Sequence, residues 1–325
     1  MASSSTSQPP AAETRNWLEL PQDVTAMILH KLGAIEILES AQKVCMAWRN
    51  ICKDPAMWRT IDMRNLGDLW DMPYDLQKMA MHAIDRSCGQ LVDINIEYFG
   101  TDETLQYITE RTSQLRRLRL VSCYSISCEG LSEAAKGLPL LEELHMYFCP
   151  MSKEAFETVG RCCPLLKSFS YNNEGCRSLP IEIECDNEAL VIAENMPELR
   201  HLQLFGNRMT NVGLQAILDG CSHLEFLDLR QCFNVVLKGD LAKRLKERIK
   251  DVRLPHDSTE DYGFNAQIID DESFGDDPFG LSDIDLLSDY DDYLQFSGDS
   301  DMDCDDYCQF PGGSDFSDFE EDPYS

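Results

Sequence analysis

From residue 115 the sequence reads Leu115-Arg-Arg-Leu118-Arg-Leu120-Val-Ser-Cys123. The same pattern, LxxLxLxxC, returns at residues 141–149 and 224–232, and a copy at residues 199–207 ends on Asn instead of Cys. Its apolar and variable positions alternate with the period of two that is typical of a β-strand. A pattern that recurs along a chain predicts an array of stacked units, each too small to bury its own apolar face.

Weaker copies of the pattern extend this array in both directions. The eight copies begin at positions 58, 91, 115, 141, 166, 199, 224 and 249, which gives intervals of 33, 24, 26, 25, 33, 25 and 25 residues. This is the period of a leucine-rich repeat with two insertions. In most units a Ser or Thr that can cap a helix follows the strand, as at Thr101, Ser127, Ser152 and Thr210. We therefore expect a curved parallel sheet with helices on its convex side, over residues 58–256.

A helical pattern precedes the repeats. Val24, Met27, Ile28 and Leu32 share one face of a helix that ends at Gly33. A second apolar stripe follows and ends before Asp54-Pro55, because the residue before proline avoids the helical region. Its members are Ile37, Ala41, Val44, Cys45, Trp48 and Ile51. The sequence predicts a small all-α bundle over residues 16–60, so that the fold class is α+β with several domains.

The same residues resemble the F-box, a short pattern with more than ten fixed positions. The matching residues are Leu20-Pro21, Ile28-Leu29, Leu32, Ile37-Leu38, Val44-Cys45, Trp48-Arg49, Asp54-Pro55 and Trp58. Together with the repeats, they resemble the plant F-box/leucine-rich-repeat proteins that are known as Skp-interacting partners. The resemblance covers residues 16 to about 255.

This resemblance implies a role in an SCF ubiquitin ligase. The F-box would bind a Skp-type adaptor, which connects it to cullin and RING subunits, and the repeats would bind the protein to be ubiquitinated. Such a receptor is not an enzyme, because it acts by raising the effective concentration of its substrate near the conjugating enzyme. The alternative is a repeat scaffold or transcription-linked adaptor that binds Skp without a cullin.

Residues 16–58 hold more large apolar side chains than so small a bundle can bury, which favours a partner surface. The residues expected to bind the Skp adaptor are Leu20, Pro21, Ile28, Leu29, Leu38, Val44, Cys45 and Trp58. An ordinary core role is the alternative for each of them, and it is equally favoured for Leu32 and Trp48. For Leu20-Pro21 we favour the interface, since a proline at a helix start is poorly placed to fill a core.

The variable positions of the repeats should face the concave side of the sheet, because strand side chains alternate. The residues expected to bind the protein substrate are Arg117, Arg119, Glu143, His145, Tyr147, His201, Gln203, Phe226, Asp228 and Arg230. Mixed charge with interleaved aromatic side chains is typical of protein recognition sites. A solvated sheet face remains the alternative for any single one of them.

Charge is distributed very unevenly along the chain, whose formal net value is −30. Residues 257–325 hold many Asp and Glu but no Lys or Arg, so we expect a disordered acidic tail there and a disordered leader over residues 1–15. No basic stripe indicates nucleic-acid binding, and no apolar run indicates a membrane partner or a signal peptide. We expect the protein to lie in the nucleus and/or the cytoplasm.

No group of residues indicates catalysis, a metal or a cofactor. Cys45, Cys123, Cys149 and Cys232 occupy pattern positions, where buried thiols are expected. The pairs Cys162-Cys163 and Cys304-x-x-x-Cys308 lack a second pair at a zinc-binding spacing.

Overall fold

The computed structural model describes residues 20–65, 72–176, 185–264 and 266–269. The predicted leader, 1–15, and residues 270–325 lie outside this part of the chain. The N-terminal part consists of helices α1 (Gln22–His30), α2 (Ala34–Glu36), α3 (Gln42–Val44) and α4 (Met46–Cys52). A π-helical turn, Ile37–Ala41, joins α2 to α3, and a 3₁₀ turn, Pro55–Trp58, leads into the sheet.

The second predicted helix is interrupted. Cys45 has φ −160° and ψ 167°, which is extended backbone between α3 and α4. The sequence predicts one continuous helix here and is wrong at this residue, since no Gly or Pro marks the break.

The repeats form one parallel sheet with a helix after each of seven strands. The strands are β1 (Thr60–Met63), β2 (Asp93–Glu97), β3 (Arg117–Val121), β4 (Glu143–Tyr147), β5 (Ser168–Asn172), β7 (His201–Gln203), β8 (Phe226–Asp228) and β9 (Asp251–Arg253). The helices are α5 (Leu76–Arg86), α6 (Asp102–Arg111), α7 (Cys128–Lys136), α8 (Lys153–Cys162), α9 (Asn187–Asn195), α10 (Asn211–Gly220) and α11 (Gly239–Arg248). The spatial order of the eight strands follows the chain, which confirms the predicted leucine-rich-repeat fold.

The leucine positions of the pattern build the core. Leu118 pairs in register with Ile94 on one side and Leu144 on the other, and all three are at most 1% exposed. Each strand therefore adds one rung to a continuous apolar ladder. Burial of such side chains stabilises each unit only when its neighbours are in place.

Acidic side chains link successive repeats. Asp102 Oδ1 accepts a hydrogen bond from the amide of Ser127 in the next unit at 2.8 Å. Asp186 Oδ1 does the same with the amides of Thr210 (2.7 Å) and Gly213 (2.9 Å). Each carboxylate thus satisfies exposed amides at the start of the next helix, where the helix dipole also favours negative charge.

The eighth position of the pattern turns the chain out of the sheet. Tyr98, Ser122, Phe148 and Gln231 have φ of 73°, 50°, 55° and 60°, in the left-handed region. Gly206 occupies the same position with φ 71°. The repeat therefore specifies a sharp turn at the carboxyl end of each of these strands.

The last described segment crosses the sheet. Two short strands, β6 (Gly175–Cys176) and β10 (Ile268–Ile269), pair in parallel, and Asp257 Oδ2 accepts from the Leu254 amide at 2.7 Å. The predicted start of the disordered tail at residue 257 is therefore wrong for residues 257–264 and 266–269, which we call the strap. Among the described residues, none of the helices has the length and apolar character needed to span a bilayer.

Candidate binding surfaces

One candidate surface is an apolar face of the N-terminal helices. The five exposed large apolar side chains of this part are Val24 (37%), Met27 (67%), Leu32 (44%), Val44 (62%) and Met46 (68%). They come from α1, its C-terminal turn and the two sides of the α3–α4 break. The inner side of α1 is instead formed by Thr25 and Leu29. The helical periodicity in α1 thus marks a face that points to solvent.

The residues predicted to bind the Skp adaptor separate into two groups. Pro21 and Val44 are exposed, and Leu20, Ile28 and Cys45 are partly exposed.

The other three belong to the core: Leu29 is 0%, Leu38 5% and Trp58 1% exposed. The Trp58 indole Nε1 donates to the Cys52 carbonyl at 2.8 Å, and the Arg86 guanidinium lies 5.4 Å from the ring centroid. These three side chains can support a binding face but cannot contact a partner directly in this arrangement.

Two methionines of this face were not among the predicted binding residues. Met27 lies on the same helix side as Val24 and Ile28, so helical spacing already indicated it. Met46 becomes exposed because the backbone breaks at Cys45, and nothing in the residue pattern predicts that break.

The second candidate surface is the face of the sheet that carries the variable positions, which we call the concave face. Strand register aligns Arg117 with Glu143 and Arg119 with His145, so the predicted residues do share this face. Their exposure differs from residue to residue. Arg117 and His201 are exposed, Arg119, Glu143, His145, Tyr147, Gln203 and Phe226 are intermediate, and Asp228 and Arg230 are buried.

Near β2 to β5 the concave face is polar and self-paired. Arg117 Nε donates to Asp93 at 2.8 Å, and His145 Nδ1 lies 2.8 Å from Ser170 Oγ. Burial lowers the pKa of His145 below its ordinary value of 6.5, although the adjacent Glu143 carboxylate acts in the opposite direction. His145 is therefore held as a neutral ring near pH 7.

Arg119 differs from the other cations of this face. Its guanidinium lies 5.1 Å from the Tyr147 ring centroid and 5.3 Å from that of Phe264. Its Nε is buried without a hydrogen-bond partner among the described residues. The cation is held by aromatic faces and retains an unused donor.

Near β7 to β9 the strap covers part of the concave face. Arg230 Nη2 donates to Asp228 at 2.7 Å and Nη1 to the Ser258 carbonyl at 3.1 Å, and Nη1 also pairs with Asp261. Its hydrogen bond to Asp228 is the main reason why the pKa of Arg230 is raised. The two most buried of the predicted substrate residues, Asp228 and Arg230, are thus already occupied by the chain itself.

Aromatic stacking holds the rest of the strap. The Tyr262 ring lies parallel to Phe205, with centroids 3.8 Å apart and an interplanar angle of 3°. Phe264 lies 4.5 Å from Tyr147, and Gln231 Nε2 donates to the Ala266 carbonyl at 2.7 Å. A cavity of about 260 Å³ remains between the strap and the strands, next to Arg119 and Phe226.

Comparison with known proteins agrees with both halves of this architecture. A family model described as F-box-like matches residues 17–64. The Arabidopsis thaliana "F-box protein SKIP19" is 53% identical over 293 residues, which span 89% of this chain and 93% of that protein. The chain belongs to the plant F-box/leucine-rich-repeat family.

Further relatives support the family assignment. "Putative F-box/LRR-repeat protein 9" of Arabidopsis thaliana is 46% identical and matched over its whole length by 75% of this chain. "Putative F-box/LRR-repeat protein 23" is 53% identical, and 54% of its length is covered. Separately from the family assignment, the solved structure of the yeast Rad7 and Elc1 complex contains a chain that is similar with a TM-score of 0.41 and 16% identity, over 53% of this chain and 44% of that one.

Of the eleven cysteines of this F-box/leucine-rich-repeat protein whose burial the structure describes, seven are buried. Cys123, Cys149 and Cys232 are 0% exposed, as predicted, whereas Cys45 is partly exposed. Burial raises the pKa of Cys221 to about 11 and that of Cys163 to about 12, so these thiols stay protonated at neutral pH. Among the residues that the structure describes, no cluster of His, Cys, Asp or Glu has the make-up of a metal site.

Proposed function

We propose that this protein is the substrate-recognition subunit of an SCF-type ubiquitin ligase. In this proposal the exposed apolar face of the N-terminal helices, which we call the F-box face, binds a Skp-type adaptor. The adaptor connects the chain to cullin and RING subunits. The repeats bind the protein to be ubiquitinated. The observation that carries the proposal is the exposed apolar face of Val24, Met27, Leu32, Val44 and Met46.

The energetics of that face favour a protein partner. Met27 and Met46 are 67% and 68% exposed, although their helices contribute Leu29, Ile51 and Cys52 to the core. Removing apolar surface from water contributes about 25 cal/mol per Å², so a complementary apolar surface binds here favourably. Flexible methionine side chains also adapt to such a surface.

The repeats supply the second half of the mechanism. Their concave face presents charged, aromatic and amide groups on a rigid parallel sheet, while the catalytic chemistry belongs to the conjugating enzyme. Holding a substrate near that enzyme raises the rate through effective concentration, with no nucleophile or general base on the receptor. The nucleus and/or cytoplasm is the proposed location.

Met27→Asp tests the adaptor interface. A carboxylate at this exposed position of the apolar face would be desolvated on binding, so we expect at least a ~100-fold weaker affinity for a Skp-type adaptor. The measurement is isothermal titration calorimetry with the purified full chain. Val212→Asp is the matched control, because Val212 is 62% exposed on helix α10, far from the F-box in sequence.

Equal loss of affinity in the two variants would contradict the proposed interface. Co-purification of a cullin with the wild-type chain and its adaptor separates the ligase subunit from a repeat scaffold that binds Skp alone. A complex that retains the adaptor without a cullin would favour the scaffold.

A further inference from the structure

We propose that the concave face between β4 and β9 is a recognition site for a polypeptide segment of the form acid–aromatic–x–aromatic, and that the strap occupies this site in cis. The inference rests on the proposed function, because it names the class of segment that the repeats take from a protein partner. Asp261, Tyr262 and Phe264 of the strap supply the template for that segment.

The first position is an acid because two arginines converge on it. Asp261 pairs with Arg230, and Arg253 Nη2 lies 3.6 Å from its Oδ2. Asp228 fixes the orientation of the Arg230 guanidinium, because its Oδ2 accepts hydrogen bonds from both Nε and Nη2. A guanidinium oriented in this way binds a carboxylate with defined geometry.

That acidic contact is accessible to exchange. The Asp261 side chain remains 52% exposed, whereas the Arg230 side chain is only 6% exposed. The cationic half of the pair is therefore built into the repeats, and the acidic half lies at the surface. An acid from another chain can replace Asp261 without disturbing the sheet.

The second and fourth positions are aromatic. Tyr262 stacks on Phe205, which is 1% exposed beneath it, and Phe264 contacts Tyr147 and Phe148, with centroid distances of 4.5 Å and 5.9 Å. The position between them is not specified, since a Cβ added to Gly263 would meet nothing within 4 Å. Rigid aromatic anchors in partly buried positions are the usual main contributors to peptide affinity.

The strap fits this site incompletely. An open cavity of about 260 Å³ is lined by both the strap and the strands, and the Nε of Arg119, one of its lining residues, is buried without a hydrogen-bond partner among the described residues. An unsatisfied buried donor destabilises the state that contains it. A partner segment that also places an acceptor beside Arg119 would therefore bind better than the strap does.

Tethering explains how the strap stays bound although it fits the site incompletely. The strap begins two residues after Pro255, whose carbonyl accepts from the Gln231 amide at 2.9 Å. A segment held on so short a connection has an effective concentration in the millimolar range. Competing segments in trans must overcome that advantage, so the free receptor selects strong ligands.

The test uses a fluorescent peptide with the sequence of residues 257–269 and the full chain. Tyr262→Ala/Phe264→Ala loosens the cis strap and should bind this peptide at least ~10-fold more tightly than the wild type. Asp261→Asn keeps both aromatic anchors and should give an intermediate gain. A peptide with Ala in place of Asp261, Tyr262 and Phe264 should not bind.

Tyr124→Ala is the control for loss of an aromatic side chain, because Tyr124 is 68% exposed outside the strap, and it should behave as the wild type. Equal peptide affinity in the wild type and both strap variants would overturn the inference, as would equal binding of the alanine peptide. Light scattering that shows a dimer through exchanged straps would also overturn it, in favour of a second copy as the occupant.

Adaptor binding, measured in the same samples, should be unchanged. Failure of the wild type to bind the adaptor would refute the proposed function while leaving the peptide result intact.

Discussion

The two candidate surfaces of this protein are maintained in opposite ways. The F-box face leaves Met27, Val44 and Met46 more than 60% exposed. The strap instead covers part of the C-terminal half of the concave face, where Phe205 and Arg230 are 1% and 5% exposed. An open apolar face suits a partner that remains bound. A covered polar and aromatic face suits a partner that must be exchanged.

The largest expected effect concerns the core of the N-terminal part, which carries the open face. Trp58→Ala removes a 1% exposed ring and should destabilise the F-box by about 3–5 kcal/mol, which abolishes adaptor binding. Thermal denaturation of the isolated chain measures the loss. Val44→Ala is the comparison, because it trims the exposed face and should leave the unfolding transition within about 0.5 kcal/mol of the wild type. Similar transitions for the two variants would show that the division between core and face is wrong.

A comparable effect is expected on the covered side. Arg230→Met leaves the Asp228 carboxylate, which is 1% exposed, without its cation, and unpaired buried charges cost about 3–5 kcal/mol. Urea denaturation should show this loss in the transition of the repeats. Asp228→Asn/Arg230→Met removes both charges and should recover part of the stability; no recovery would argue against the buried pair as the cause.

Binding of the adaptor should affect the two regions unequally. At a free adaptor concentration of about 100 Kd, linkage stabilises the state that binds it by about 2.7 kcal/mol. Hydrogen exchange should slow in residues 20–58 and remain unchanged in the strap. Equal protection of both regions would show that adaptor binding also stabilises the strap, which would contradict independent behaviour of the two surfaces.

The smallest effect is expected from a change of pH, which alters folding stability through His145 on the uncovered half of the concave face. Burial lowers the pKa of His145, so the unfolded chain takes up a proton near the ordinary pKa of about 6.5 while the folded chain does not. The contribution of the neutral His145 to folding stability is therefore fully present above that pH. It is lost as the pH falls from the unfolded pKa towards the lower folded pKa. His145→Gln should show a weaker decrease between pH 7.5 and 5.5 in urea denaturation, and an unchanged decrease would assign the effect to other groups.

The repeats could be predicted from sequence because their signal is local and periodic. The alternation around Leu118 and Leu144 fixes which side chains lie inside, and the interval of about 25 residues fixes the strand order. The same alternation placed Arg119, His145 and Tyr147 on the concave face. Each of these inferences needs only neighbouring residues.

The strap could not be predicted, because its contacts are not local. Residues 257–264 have the composition of a disordered segment, and Tyr262 finds Phe205 only after the sheet has brought that ring to the surface. The break at Cys45 was also hidden, since no helix-breaking residue precedes it. Met46 lies on the exposed face next to that break, so it was not predicted as a binding residue either.

The carboxylates of Asp102 and Asp186 also determine how the array should respond to mechanical force. Each one ties its own repeat to the first helical turn of the next through the Ser127 or Thr210 amide. A chain pulled by its ends should therefore lose these neighbouring units in pairs, giving longer extension steps than those of unlinked repeats. An array held at both ends under load would then yield in steps, with the joined units as its strongest segments.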